Sequence, residues 1–224
     1  MATIHLNFQS LTLKLDKKHT KLYTYTPQKS FNLPIYAAIG GGTSGKQLIE
    51  SGTVKAIPPK EASIGLKSDG LKLLDVRPEW EREKARVSGS LHVPLFIKDT
   101  DESLVTFLKK WVHLGYIGLW TGQKFTTINS EFASQVEGIV PDKDTMVLVA
   151  CGEGLSENRS IVAVSKLHEA GYKNLGWLVG GFNRTKDGDF PVEGDEKLQY
   201  ATIGGVSYYF LKLLTLLQAA GTSD

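Results

Sequence analysis

Apolar and polar positions along this chain fall into two regimes. From residue 54 onward, short apolar runs alternate with segments whose apolar residues recur every three or four positions; residues 1–38 show neither pattern. Val54 to Ile57 is β-branched and closed by Pro58-Pro59, which predicts a strand, and residues 60–66 follow as a short helix. Leu71 to Asp75 is an apolar run ending on a charge, so it predicts a buried strand that delivers Asp75 and Arg77 at its carboxyl end. Pro78 suits a first helical turn and starts a helix expected over residues 79–86. A short strand is expected over 90–94. A helix over 101–113 carries Leu104, Phe107, Leu108 and Trp111 on one face, and a further helix over 130–137 is capped by Asn129 or Ser130. Met146 to Ala150 is apolar at every position, the pattern of a parallel strand buried on both faces. A helix over 159–170 is stopped by Gly171, and a last strand over 175–179 is stopped by Gly180-Gly181. This alternation predicts an α/β fold with a mostly parallel sheet, whose ligands bind beyond the carboxyl ends of the strands.

Two apolar segments lie outside that alternation. Trp111 to Trp120 encloses Leu-Gly-Tyr-Ile-Gly-Leu, an aromatic and glycine-rich insert expected to pack on the core. Between Leu198 and Ser223 the only charge is Lys212. There Val206, Tyr209, Phe210, Leu213, Leu214 and Leu217 form one stripe, while Tyr208, Leu211 and Leu216 make the opposite face apolar too. An apolar helix over residues 198–220 is expected, docked on the domain or on a partner. A membrane anchor is the alternative, though Thr202, Ser207, Thr215 and Gln218 weigh against a full span.

Composition narrows the class. With 224 residues, 41% hydrophobic and 22% charged, the chain can bury a sizeable core and is not disordered throughout. Net charge is +2, without the basic surplus of a nucleic-acid binder, so no nucleic-acid partner is expected. The charge is uneven: residues 1–38 carry five lysines against Asp16, a net of +4, which leaves −2 for the rest. Basic, rich in hydroxyls and poor in acid, residues 1–38 have the composition of a transit peptide, and their lack of arginine favours the chloroplast. Residues 39–53, with Gly40-Gly41-Gly42, are expected to be a flexible linker to a domain over 54–190.

Cys151 is the one cysteine, which excludes an internal disulfide and a zinc site of paired thiolates. His92, His113 and His168 have no ligand spacing, so no metal or cofactor is expected. Cys151 follows the buried strand and precedes the helix near Arg159, with Gly152, Glu153, Gly154 and Leu155 between. A glycine-containing loop can turn its N–H groups inward as an anion nest, and a helix N-terminus adds roughly half a positive charge. Both would lower the thiol pKa and favour a nucleophilic thiolate. A small buried hydrophobe at a strand end is the other reading of the same residue.

Several separated motifs resemble the rhodanese-like family. Leu74-Asp75-Val76-Arg77-Pro78, Trp80-Glu81 and Val87-Ser88-Gly89-Ser90-Leu91-His92-Val93-Pro94 are similar to its first signature. Val147-Leu148-Val149-Ala150-Cys151-Gly152-Glu153-Gly154 with Arg159-Ser160 resembles its active-site segment, and Leu178-Val179-Gly180-Gly181-Phe182 its closing segment. The resemblance implies a five-stranded parallel sheet with flanking helices. It also implies that Cys151 takes sulfur from a sulfane-sulfur donor as a persulfide and passes it to a thiol or other thiophilic acceptor. The N–H groups of Gly152, Glu153, Gly154, Leu155, Arg159 and Ser160 would cradle that sulfur, Arg159 would help hold an anionic donor, and Asp75 and Arg77 would be architectural.

The loop also departs from the family. Seven residues separate Cys151 from Arg159, three more than is common, and Glu153 and Glu157 bring carboxylates that raise a thiol pKa and repel thiosulfate. A phosphatase of the related dual-specificity fold is the rival chemistry, but seven residues do not match its loop either, and acidic residues disfavour phosphate. Two functions are therefore expected: a chloroplast sulfurtransferase or sulfane-sulfur carrier, or a catalytically weak module attached to a plastid membrane or a membrane-protein partner.

Overall fold

The computed structural model describes residues 44–68, 70–152 and 157–221. The expected transit segment, and Glu153, Gly154 and Leu155 of the loop, lie outside these residues.

Five parallel strands form the central sheet: β1 (Lys55–Ile57), β2 (Lys72–Asp75), β4 (Leu91–His92), β7 (Val147–Ala150) and β8 (Leu175–Leu178). Their spatial order is β1-β8-β7-β2-β4, which puts β7 at the centre. All four residues of β7 are buried, as expected of a strand covered on both faces. Its side chains alternate between two cores. Val147, Val149 and Cys151 join Phe132 and Val136 of α6 (Phe132–Ile139) and Ala163, Val164 and Leu167 of α7 (Glu157–Glu169). Leu148 and Ala150 join Ala62 of α2 (Pro59–Lys67), Leu178 and Phe182 on the other side. The expected α/β architecture with a five-stranded parallel sheet is thus present.

Several segments differ from expectation, each for a local reason. The helix expected over 79–86 is one turn, α3 (Glu79–Arg82), because Ala85, Arg86 and Val87 leave it as β3 (Ala85–Val87). β3 pairs antiparallel with β9 (Val192–Gly194), where Gly194 at φ 121° lets the backbone approach Lys84 O. A second antiparallel pair joins β5 (Phe96–Lys98) to β6 (Thr126–Ile128). Residues 39–53, expected as a flexible linker, contain α1 (Gly45–Glu50), started by a capping box on Ser44 and pinned by buried Leu48.

Two apolar helices depart furthest. α4 (Leu104–His113) continues through a π-helical turn, Leu114–Gly118, into α5 (Leu119–Thr121). Core packing was expected for Trp111 and Trp120, yet they are 70% and 56% exposed. The C-terminal helix expected over 198–220 begins later, as α8 (Gly205–Gly221), after an isolated 3-10 turn at Leu198–Tyr200. Its expected stripe does not dock: Val206, Tyr209, Phe210, Leu213 and Leu214 are exposed. Among the described residues no helix is long and apolar enough to cross a membrane.

Candidate functional site

The carboxyl end of the central strand carries Cys151, 2% exposed. Its Sγ donates to Ser160 Oγ at 3.2 Å, and Trp177 Nε1 donates to the same oxygen at 3.0 Å. Ser160 lies in the first turn of α7 and Trp177 on β8, so the two elements that follow the cysteine converge on its sulfur. The arrangement is a relay. When the sulfur is anionic, the Ser160 hydroxyl turns to donate to it, while its oxygen goes on accepting from Trp177, a donor only. On the backbone side Phe182 N–H donates to Cys151 O at 2.9 Å, which ties the end of β7 to the turn after β8.

The electrostatics differ from expectation. The loop N–H groups and helix end were expected to lower the thiol pKa and the loop carboxylates to raise it; burial pushes the Cys151 thiol above its ordinary value. The Ser160 hydrogen bond and the Arg159 charge oppose that rise, and the Glu81 carboxylate adds to it. Burial thus favours the protonated thiol, with the Ser160 hydroxyl held beside it.

Arg159, expected to hold an anionic donor, is engaged within the protein: its Nη1 donates to Glu81 Oε1 at 2.9 Å, with both side chains largely buried. Burial raises the Glu81 carboxyl pKa more than Arg159 lowers it. Glu81 stands in the first signature and Arg159 after the cysteine loop, so the ion pair joins the two motifs across the sheet edge.

Asp75 and Arg77 are fully buried. Arg77 Nη2 donates to Asp75 Oδ2 at 2.7 Å, and Arg77 Nε and backbone N–H donate to Oδ1, each at 3.0 Å. Arg77 also donates to Ala85 O at 2.8 Å, and its guanidinium lies 4.4 Å from the centre of the Phe182 ring. Because Phe182 also holds Cys151 O, this pair braces the turn against which the cysteine strand ends. Neither residue touches the sulfur, and their bonds position backbone.

Gly152 has a separate constraint. A Cβ there would lie 1.7 Å from Thr202 Cγ2, so only glycine fits while Thr202 keeps its place. Thr202 is held by donating to Asn183 Oδ1 at 3.0 Å. Trp177 and Thr202 escaped the sequence reading, since both come from segments whose pattern signals only a strand and an apolar tail. Glu81 was visible as part of a motif but not as the partner of Arg159.

Residues 58–187 match the model of the Rhodanese-like domain. The chain is 63% identical over 195 residues to "Rhodanese-like domain-containing protein 10" of Arabidopsis thaliana, covering 87% of this chain and 88% of that one. It is 40% identical to "Rhodanese-like domain-containing protein 11, chloroplastic" of the same plant, over 72% of this chain and 54% of the relative. Among solved structures, it is similar to a thiosulfate sulfurtransferase from Pseudomonas aeruginosa, with TM-score 0.43 and 18% identity over 68% of this chain and 22% of that one.

Proposed function

The chain belongs to the rhodanese-like family, and from that premise we propose that it is a chloroplast sulfurtransferase that carries sulfane sulfur on Cys151 as a persulfide. The observation that carries this reading is the Trp177–Ser160–Cys151 relay at the end of the central strand. In the first half-reaction the Cys151 thiolate attacks the outer sulfur of the donor. A bond forms from Sγ to that sulfur, the donor's own bond to it breaks, and the leaving group departs with the electron pair. The terminal persulfide sulfur takes the negative charge. In the second half-reaction an acceptor thiolate attacks that terminal sulfur, and the Cys151 thiolate is released. Ser160 supports both anionic states of Cys151 by donating its hydroxyl.

With Arg159 turned to Glu81 and Glu153 in the loop, a donor of low charge, such as a small-molecule persulfide, suits the site better than the thiosulfate dianion. Chloroplast placement is supported by the composition of residues 1–38 and by similar proteins whose names include "chloroplastic".

The test is intact mass after incubation with glutathione persulfide or thiosulfate. A gain of one sulfur atom, abolished by Cys151→Ser and reversed by an added thiol, is expected. No gain with either donor overturns the proposal.

A further inference from the structure

α4 is mounted with its polar side toward the protein. Thr106 is buried and donates to Asp101 Oδ2 at 2.5 Å. Lys110 donates to Asp101 O at 2.6 Å and lies 3.6 Å from Asp99. His113 Nε2 bonds to Gln123 O at 3.1 Å, with its ring edge-on to Phe125. The opposite side carries Leu104, Phe107, Leu108 and Trp111, all more than 60% exposed.

α8 repeats the arrangement. Tyr208 turns inward, its hydroxyl donating to Glu196 and its ring beneath Lys84, while Tyr209 and Phe210 are 73% and 64% exposed. α8 is locked against α5, the continuation of α4, by glycines: a Cβ on Gly205 would meet Leu119 O at 2.4 Å, and one on Gly122 would meet Gly205 N at 2.5 Å. A surface helix normally does the reverse, turning its apolar stripe to the core. Here the polar ties fix two helices with apolar faces outward, and exposed apolar surface of this extent marks an interaction site.

The charges indicate the occupant. Between Ser103 and Ser130 the charged residues are Lys109, Lys110 and Lys124; Lys110 turns inward to Asp99 and Asp101 and Lys124 lies over the Trp80 ring, which leaves Lys109 exposed, and between Leu198 and Ser223 the sequence has only Lys212; neither stretch contains a carboxylate. Of the neighbouring carboxylates, Asp99 pairs with Lys110, Asp101 accepts from Thr106 and Glu196 accepts from Tyr208, while Glu102 stays exposed before the α4 N-terminus. A second copy docked through the same face would set lysines against lysines around an apolar contact. An anionic lipid surface instead accepts apolar side chains, lysines and the amphipathic rings of tryptophan and tyrosine together. We propose that α4, α5 and α8 form an in-plane docking face for an anionic bilayer, with Phe107, Trp111, Tyr209 and Phe210 entering the headgroup–acyl boundary. The protein would lie on the membrane rather than span it.

Flotation of the full chain with phosphatidylcholine vesicles, with and without phosphatidylglycerol, tests this directly. Strong flotation with the anionic vesicles is expected, weakening as salt is raised. Phe107→Ser with Trp111→Ser should reduce partition at least about tenfold. Ile64→Ser, at an exposed apolar position on α2, should leave it unchanged. The lysines of residues 1–38 are common to all variants, so the difference reports the helices. Brominated lipid should quench tryptophan emission of the unaltered chain. Absence of flotation, absence of quenching, or equal flotation of the double variant overturns the proposal. So does a concentration-dependent dimer that the double variant abolishes, which would assign the face to a second copy.

Discussion

Replacing Glu81 with glutamine tests how the site sets the reactivity of its thiol. The substitution keeps an acceptor 2.9 Å from Arg159 Nη1 but removes a charge from a pair whose side chains are 12% and 6% exposed. At about 4 Å and an effective dielectric near 20, two unit charges attract by about 4 kcal/mol before desolvation is counted. Glu81 also carries a desolvation penalty that its neutral replacement does not. With the hydrogen bond retained, a net loss of about 1–3 kcal/mol is expected, less than the ~3–5 kcal/mol of a buried charge left alone. For a domain of this size that lowers Tm by about 2–12 °C. The thiol responds in the opposite sense. Glu81 raises the Cys151 pKa and Arg159 lowers it, so glutamine removes the first influence and leaves the second uncompensated. Each unit by which the pKa falls is about tenfold in thiolate at neutral pH. Iodoacetamide alkylation of Cys151 in the persulfide-free protein at pH 7 should therefore quicken in Glu81→Gln. An unchanged or slower alkylation rate in a folded Glu81→Gln protein would refute the reading that the Glu81 charge raises the thiol pKa.

Ser160→Ala should raise the thiol pKa further, because Sγ loses its hydroxyl partner, and should slow alkylation at fixed pH while circular dichroism stays native. Burial favours the protonated thiol in the folded state, so the Cys151 contribution to stability is present below its ordinary value of 9.0 and is lost as pH rises above it; Cys151→Ser should flatten the denaturation midpoint over that alkaline range. Arg77→Ala strands the buried Asp75 carboxylate and should cost about 3–5 kcal/mol in urea unfolding, whereas Asp75→Asn with Arg77→Met should recover part of it. Gly152→Ala should destabilise the protein and impair sulfur loading, and Thr202→Ala should rescue part of both; no coupling in that double-mutant cycle would place Thr202 away from the loop.

The core of the fold was legible because its strands are simple. β2, β7 and β8 are short apolar runs closed by charge, cysteine or glycine, a pattern a strand buried on both faces leaves and a loop does not. Cys151 was legible from its place between such a strand and a helix. Pairings made over long separations were not. Glu81 and Arg159 stand 78 residues apart, and Ala85–Val87 and Val192–Gly194 are too short to announce a strand alone. The reading of α4 went wrong for a different reason. Spacing shows that a helix is two-faced, but the same stripe serves a core or an apolar medium outside, and only the bonds of Thr106, Lys110 and His113 decide which. The rise of the thiol pKa by burial was not legible, because the sequence reveals dipoles and charges near Cys151, which pull both ways, but not how completely water is excluded from it.

The contact between Gly152 and Thr202 has a consequence for the order in which the protein is made. The candidate site draws its parts from Glu81, Cys151, Ser160, Trp177, Phe182 and Thr202, so it is complete only once the last of these has left the ribosome. A chain ending before β8 leaves the central strand without that neighbour and Ser160 without Trp177, whereas one ending between Trp177 and Thr202 lacks only the packing on Gly152. The thiol of the first is expected to be alkylated faster than that of the full chain. Docking of β8, and then of Thr202, is what turns an open thiol into a guarded one.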